Sequence, residues 1–124
     1  MVAYNFKARF VDPIETRFKR QTIRPNRKRN PRPGEALQLY TGMRTRHCRK
    51  LWAPDPICTC VTPIKIDRGS VELGGQPLTV EQQTELAIAD GFASLEEFQK
   101  FFYGADSMSP SYTLPFEGVL IEWE

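Results

Sequence analysis

Lys19 and Thr22 stand three residues apart in the run Lys19-Arg20-Gln21-Thr22-Ile23-Arg24. If the run turns, the two side chains sit at i and i+3 and can meet. If it is extended, Lys19, Gln21 and Ile23 face one way and Arg20, Thr22 and Arg24 the other. A threonine hydroxyl is a weak nucleophile until a base takes its proton. A lysine amine can be that base when burial or neighbouring cations lower its pKa. Arg17, Arg20 and Arg24 supply such cations. The competing reading is a basic strand that binds phosphate, or a solvated face, and composition alone favours it.

The other reactive side chains form weaker patterns. The chain has three cysteines, Cys48, Cys58 and Cys60, and one histidine, His47. An odd thiol count argues against a disulfide framework. The spacing His-Cys-x9-Cys-x-Cys is no usual zinc pattern, and adjacent His47 and Cys48 strain to reach one metal. Reduced thiols on a core strand are expected instead, with Cys58 and Cys60 on one face, and no metal or cofactor. A single histidine is a poor basis for a Ser-His-Asp site. There is no glycine-rich phosphate loop and no dinucleotide fingerprint.

The net charge of +2 conceals an uneven distribution. Residues 1–50 hold 14 Lys/Arg and 3 Asp/Glu, whereas residues 51–124 hold 3 and 12. Two basic loops carry much of the excess. The first, 25–34, has three prolines, Arg27, Lys28, Arg29 and Arg32, and no evident apolar anchor, so it is expected to be mobile. The second, 42–55, has Arg44, Arg46, Arg49 and Lys50, and Tyr40 and Trp52 flank it as possible stacking platforms. With Arg20 and Arg24 these residues predict a basic cleft for RNA or a nucleotide. The competing outcome is that the charges intermix on folding.

The elements that must position these groups fit one domain over residues 1–124. Alternation predicts strands over Val2–Val11, Glu35–Thr41, Ile57–Ile66 and Phe116–Trp123, with Pro63 marking a bulge or an edge. Asp12-Pro13-Ile14-Glu15 breaks the first strand or opens a helical turn. Val71–Leu73 and Gln76–Leu78 around Gly74-Gly75 read as a hairpin. Thr79 with Gln82, and Ser94 with Glu97, are capping-box patterns. The first opens a weak helix through Leu86 ending near Asp90-Gly91, and the second a helix bearing Leu95, Phe98, Phe101 and Phe102, stopped by Gly104. No βα alternation supports a doubly wound sheet, so the class is α+β: a small curved sheet or barrel is the best fit to this order, with one or two covering helices. No apolar run suits a membrane span and no signal-peptide core is seen, so a cytoplasmic address and no membrane partner are expected.

The run Arg9-Phe10-x3-Ile14-x4-Lys19-x2-Thr22-Ile23-Arg24, followed by Pro33-Gly34-Glu35-x-Leu37, resembles the ASCH family of PUA-like β-barrels. Ala89-Asp90-Gly91-Phe92 before the phenylalanine-rich helix, and the ending Val119-Leu120-Ile121-Glu122-Trp123, are similar too. The likeness spans roughly Tyr4 to Trp123 and is nearest to short stand-alone members from bacteria and phages. It implies a small PUA-like curved sheet or barrel facing RNA or a nucleotide. One branch of that family hydrolyses N4-acetylcytidine with a lysine, a threonine three residues later, and a glutamate before the later helix. Carried onto matching positions, these imply Lys19, Thr22 and Asp90, with aspartate where that branch has glutamate. Arg17 or Phe18 replaces the small residue usual before the lysine. Another member is described as a ribonuclease.

Three functions are therefore expected in order: an RNA- or nucleotide-binding module, an amidohydrolase acting on modified nucleosides, and a metal-independent ribonuclease.

Overall fold

The computed structural model describes residues 2–103 and 113–124. Val2, Tyr4 and Phe6 alternate inward to make β1 (Val2–Phe6), whose apolar side is buried. The expected strand to Val11 stops there. Ala8–Phe10 is a 3-10 turn and Val11–Glu15 is helix α1, with Pro13 inside its first turn, where a missing N–H costs nothing. Phe10, at the end of that turn, is buried, so its place in the sequence continues the inward alternation of Tyr4 and Phe6.

β1 pairs in parallel with β3 (Leu37–Thr41), placing Val2 beside Leu37 and Tyr4 beside Leu39. The two-residue β4 (Arg49–Lys50) completes this three-stranded sheet inside the basic loop. The second sheet has the order β2–β8–β5–β6–β7, with β2 (Gln21–Pro25), β5 (Cys58–Asp67), β6 (Ser70–Leu73), β7 (Gln76–Pro77) and β8 (Phe116–Trp123). All its pairings are antiparallel. The bridge between Ala36 and Ile57, and the bond from Leu37 N–H to the Pro56 carbonyl at 2.9 Å, tie the two sheets together. The fold is α+β with two open sheets, not a closed barrel.

β8 lies between β2 and β5, so both its edges are paired. Successive side chains alternate between the two faces, yet Val119, Leu120 and Ile121 are all buried, so both faces are covered here. Glu122, on the same face as Leu120, is half-buried. Gly118 lets β8 lie close to β2: a Cβ there would sit 2.2 Å from the Arg24 carbonyl oxygen. The bulge in β5 falls between Cys58 and Cys60 rather than at Pro63. Pro63 is tolerated inside the sheet because pairing with β6 begins only at Ile64. The extra residue rotates the strand, so Cys58 is buried and Cys60 exposed instead of sharing a face. Cys48 is exposed as well. Among the described residues no three His, Cys, Asp or Glu side chains cluster as metal ligands.

Gly74 and Gly75 have φ of 60° and 81°, the left-handed pair a tight hairpin turn requires. Helix α2 (Val80–Ala89) opens with the complete Thr79–Gln82 capping box. It buries Gln83, Leu86 and Ala87, while Val80 is 68% exposed. Helix α3 (Leu95–Tyr103) buries Phe98, Phe101 and Phe102. Gly104, expected to end it, lies outside the described residues. No helix among those residues is long and apolar enough to cross a membrane.

The two charge halves partly intermix. Arg9 pairs with Glu97, Lys19 with Asp90 and Lys50 with Asp55. Arg29 with Glu35, and Arg49 with Glu15, pair within the basic half.

Candidate functional site

The segment after α1 sets the site. Thr16 caps α1, and Arg17 then adopts φ 69°, a left-handed turn usually given to glycine. The Arg17 guanidinium lies 3.8 Å from the centre of the Trp52 ring, a contact that offsets the strain. Lys19 N–H donates to the Pro13 carbonyl at 2.8 Å, and β2 begins two residues later. Phe18 and Arg20 consequently point to solvent and Lys19 points inward. Lys19 is 1% exposed.

Its partner arrives from the far end of α2. Asp90 caps that helix, and Gly91 follows at φ 98°. A Cβ on Gly91 would stand 3.1 Å from Phe10 and 3.2 Å from Lys19 Cδ, so a side chain there would press on the lysine stem and the ring. Lys19 Nζ donates to the Asp90 carbonyl at 2.5 Å and lies 3.2 Å from Asp90 Oδ1. The negative end of the α2 dipole favours a cation at this point. Gln21 Nε2, also buried, donates to the same Oδ1 at 3.4 Å.

Burial dominates the titration of this pair. It pushes the Lys19 amine below its ordinary pKa and the Asp90 carboxyl above its own. Attraction between the two opposes both shifts, and the Arg24 charge lowers Lys19 further. Both directions bring the proton affinities of the two groups closer together.

Thr22 is buried on β2. Its Oγ1 accepts a hydrogen bond from Arg24 Nε at 3.1 Å. A cavity of about 190 Å³ is lined by Lys19, Thr22, Arg24 and Asp90 together. Phe6, Phe10, Phe92, Phe101 and Phe102 form its apolar wall, and Asn5 and Lys7 also line it. The Lys19 amine is 4.7 Å from the centre of the Phe10 ring. A desolvated amine, a hydroxyl and a carboxyl thus share one small aromatic-walled space. That set can activate a hydroxyl toward a polar unsaturated centre.

The remaining expected site residues do not line this cavity. Arg20 Nε donates to the Arg17 carbonyl at 2.9 Å. Arg27 lies 4.1 Å from the Tyr4 ring centre and donates to the Ala3 carbonyl. Arg29 makes a two-pronged pair with Glu35 at 2.8 and 2.9 Å. That pair and the Arg32 N–H hold the Glu35 carboxyl down at about 2. Lys28, Arg32, Arg44 and Arg46 are exposed. Tyr40 is half-buried, with the Lys50 amine 5.7 Å from its ring centre. Trp52 is buried beneath Arg17 and against Trp123, so its face is not an open platform. The 25–34 loop does have an apolar anchor: Pro31 is buried, since its ring is hydrocarbon. Asn26, Arg27 and Asn30 also bond to one another.

Gln21, Gly91 and the phenylalanine wall were absent from the expected site. Gly91 read only as a helix-ending glycine and the phenylalanines of the later helix only as periodic core, and such signals mark core and cavity lining alike. No family model, no curated protein and no solved structure matches this chain.

Proposed function

We propose that the cavity binds the base of an N-acylated nucleoside or nucleotide of the N4-acetylcytidine type, and that Lys19, Thr22 and Asp90 hydrolyse its amide. The observation that carries this reading is the buried Lys19 amine, held by Asp90, in the same cavity as the Thr22 hydroxyl. The likeness of the Lys19–Arg24 run to an amidohydrolase branch of the ASCH family supports it. Asp90 replaces that branch's glutamate. Its carboxylate and its main-chain carbonyl both meet Lys19, so the loss of one methylene does not cost the contact.

Chemically, neutral Lys19 takes the Thr22 proton while Oγ1 bonds to the acyl carbon. The lysine then passes that proton to the departing amide nitrogen as the carbon–nitrogen bond breaks. Water cleaves the resulting threonine ester, releases the acid and restores the hydroxyl. Asp90 keeps the amine aimed throughout. The phenylalanine wall excludes water and suits a planar base.

Incubation with N4-acetylcytidine tests this. Cytidine and acetate should appear in equal amounts, and Thr22→Ala and Lys19→Met should abolish both. No turnover, or unchanged turnover in Thr22→Ala, would sink the reading.

A second reading, binding of an RNA strand, draws on Lys28 and Arg32, which are exposed on the basic loop. It requires an affinity that falls steeply with salt.

A further inference from the structure

We infer that Arg24 is a positioning residue that fixes the Thr22 hydroxyl for attack, an inference that rests on the hydrolase reading above. Arg24 is held firmly. Its Nη2 donates to the Asn5 carbonyl at 2.8 Å, and its guanidinium lies 4.7 Å from the Phe6 ring centre and 5.1 Å from that of Tyr4. Its backbone is fixed by pairing with β8, against the bare Gly118. From this mount, Nε donates to Thr22 Oγ1 at 3.1 Å.

Three consequences follow from that one bond. A threonine χ1 has few staggered positions, and a fixed donor on Oγ1 selects among them. The donor occupies one lone pair of the hydroxyl, so the hydroxyl's own proton must point away from Arg24. And as Oγ1 gains negative charge on losing that proton, a hydrogen bond from a guanidinium strengthens. The bond is therefore worth more during attack than before it, which raises the rate without tightening substrate binding. The Arg24 charge also disfavours a proton on Lys19. A planar fork is needed to reach Thr22 and Asn5 at once, so lysine cannot replace it fully.

The test compares wild type with Arg24→Met and Arg24→Lys in two measurements. With N4-acetylcytidine, Arg24→Met should lower kcat by about 100-fold, as loss of a preorganised donor does, with KM nearly unchanged. Arg24→Lys should fall between the two. In the free protein, three-bond couplings of the Thr22 methyl should report a single χ1 rotamer in wild type and averaging in Arg24→Met. Intact amide spectra establish that the variants fold. A single rotamer retained in both variants overturns the inference, whatever the activity. So does a loss confined to KM. If wild type shows the single rotamer and Arg24→Met the averaged one, but wild type does not turn over N4-acetylcytidine, the positioning stands and the assigned substrate fails.

Discussion

Replacing Asp90 by alanine should destabilise the chain strongly at neutral pH and much less at alkaline pH. The substitution removes the carboxylate 3.2 Å from an amine that is 1% exposed. Taking one partner from a buried ion pair costs about 3–5 kcal/mol. The amine has one escape, which is to fold without its proton. Giving up a proton at pH 7 from an ordinary lysine pKa costs about 4.6 kcal/mol. At pH 9 the same escape costs only about 1.9 kcal/mol. The sign is set by proton counts. Folded Asp90→Ala with a neutral Lys19 binds fewer protons than its unfolded chain, so its stability rises with pH. In wild type the pair holds one proton wherever that proton resides. The unfolded chain also holds one between its aspartate and lysine over this range, so wild type gains no such slope. Urea unfolding at pH 7, 8 and 9 should show the gap between wild type and Asp90→Ala narrowing by roughly 2 kcal/mol or more. The Lys19→Met/Asp90→Ala double variant should show no narrowing, because no amine remains. A gap under about 1 kcal/mol at pH 7, or one constant from pH 7 to 9, would refute the reasoning about this buried pair.

Three further outcomes are expected. The pH–rate profile of kcat/KM should rise through an ionisation below the ordinary lysine value of 10.5, since burial and Arg24 lower the Lys19 pKa and only the neutral amine is a base. Gly91→Ala forces a left-handed φ of 98° on alanine and crowds Lys19 Cδ, so thermal unfolding should show a loss of about 1–3 kcal/mol together with reduced turnover. Neutralising Arg27, Lys28 and Arg32 together should leave turnover of the free nucleoside unchanged in a steady-state assay, because none of the three lines the cavity.

The local devices of this fold were legible in the sequence. The glycine pair of the β6–β7 hairpin, the Thr79–Gln82 capping box and the alternation of Leu37 and Leu39 each act within a few residues, and each has the expected conformation. What depends on distant partners was not legible. The Lys19–Asp90 contact joins positions 71 residues apart, and no spacing rule reaches that far; only the family likeness suggested it. Trp52 beside a basic loop reads as a platform, yet Arg17, from the end of α1, covers it. The split charge suggested one basic rim. Acidic partners take up part of it, and of the arginines and lysines expected at the site only Lys19 and Arg24 line the cavity. The Cys58/Cys60 bulge left no mark, because Pro63 drew the suspicion while the irregularity sits earlier in β5.

The most direct test of the account is a crystal structure of Thr22→Ala soaked with N4-acetylcytidine, the variant being chosen so that the ligand survives. The account predicts the base against the phenylalanine wall and the acyl carbon within about 3–3.5 Å of the place Thr22 Oγ1 occupies in wild type, beside the Lys19 amine. A ligand seated on the 27–32 loop with this cavity empty, or no ligand bound at all, would contradict it.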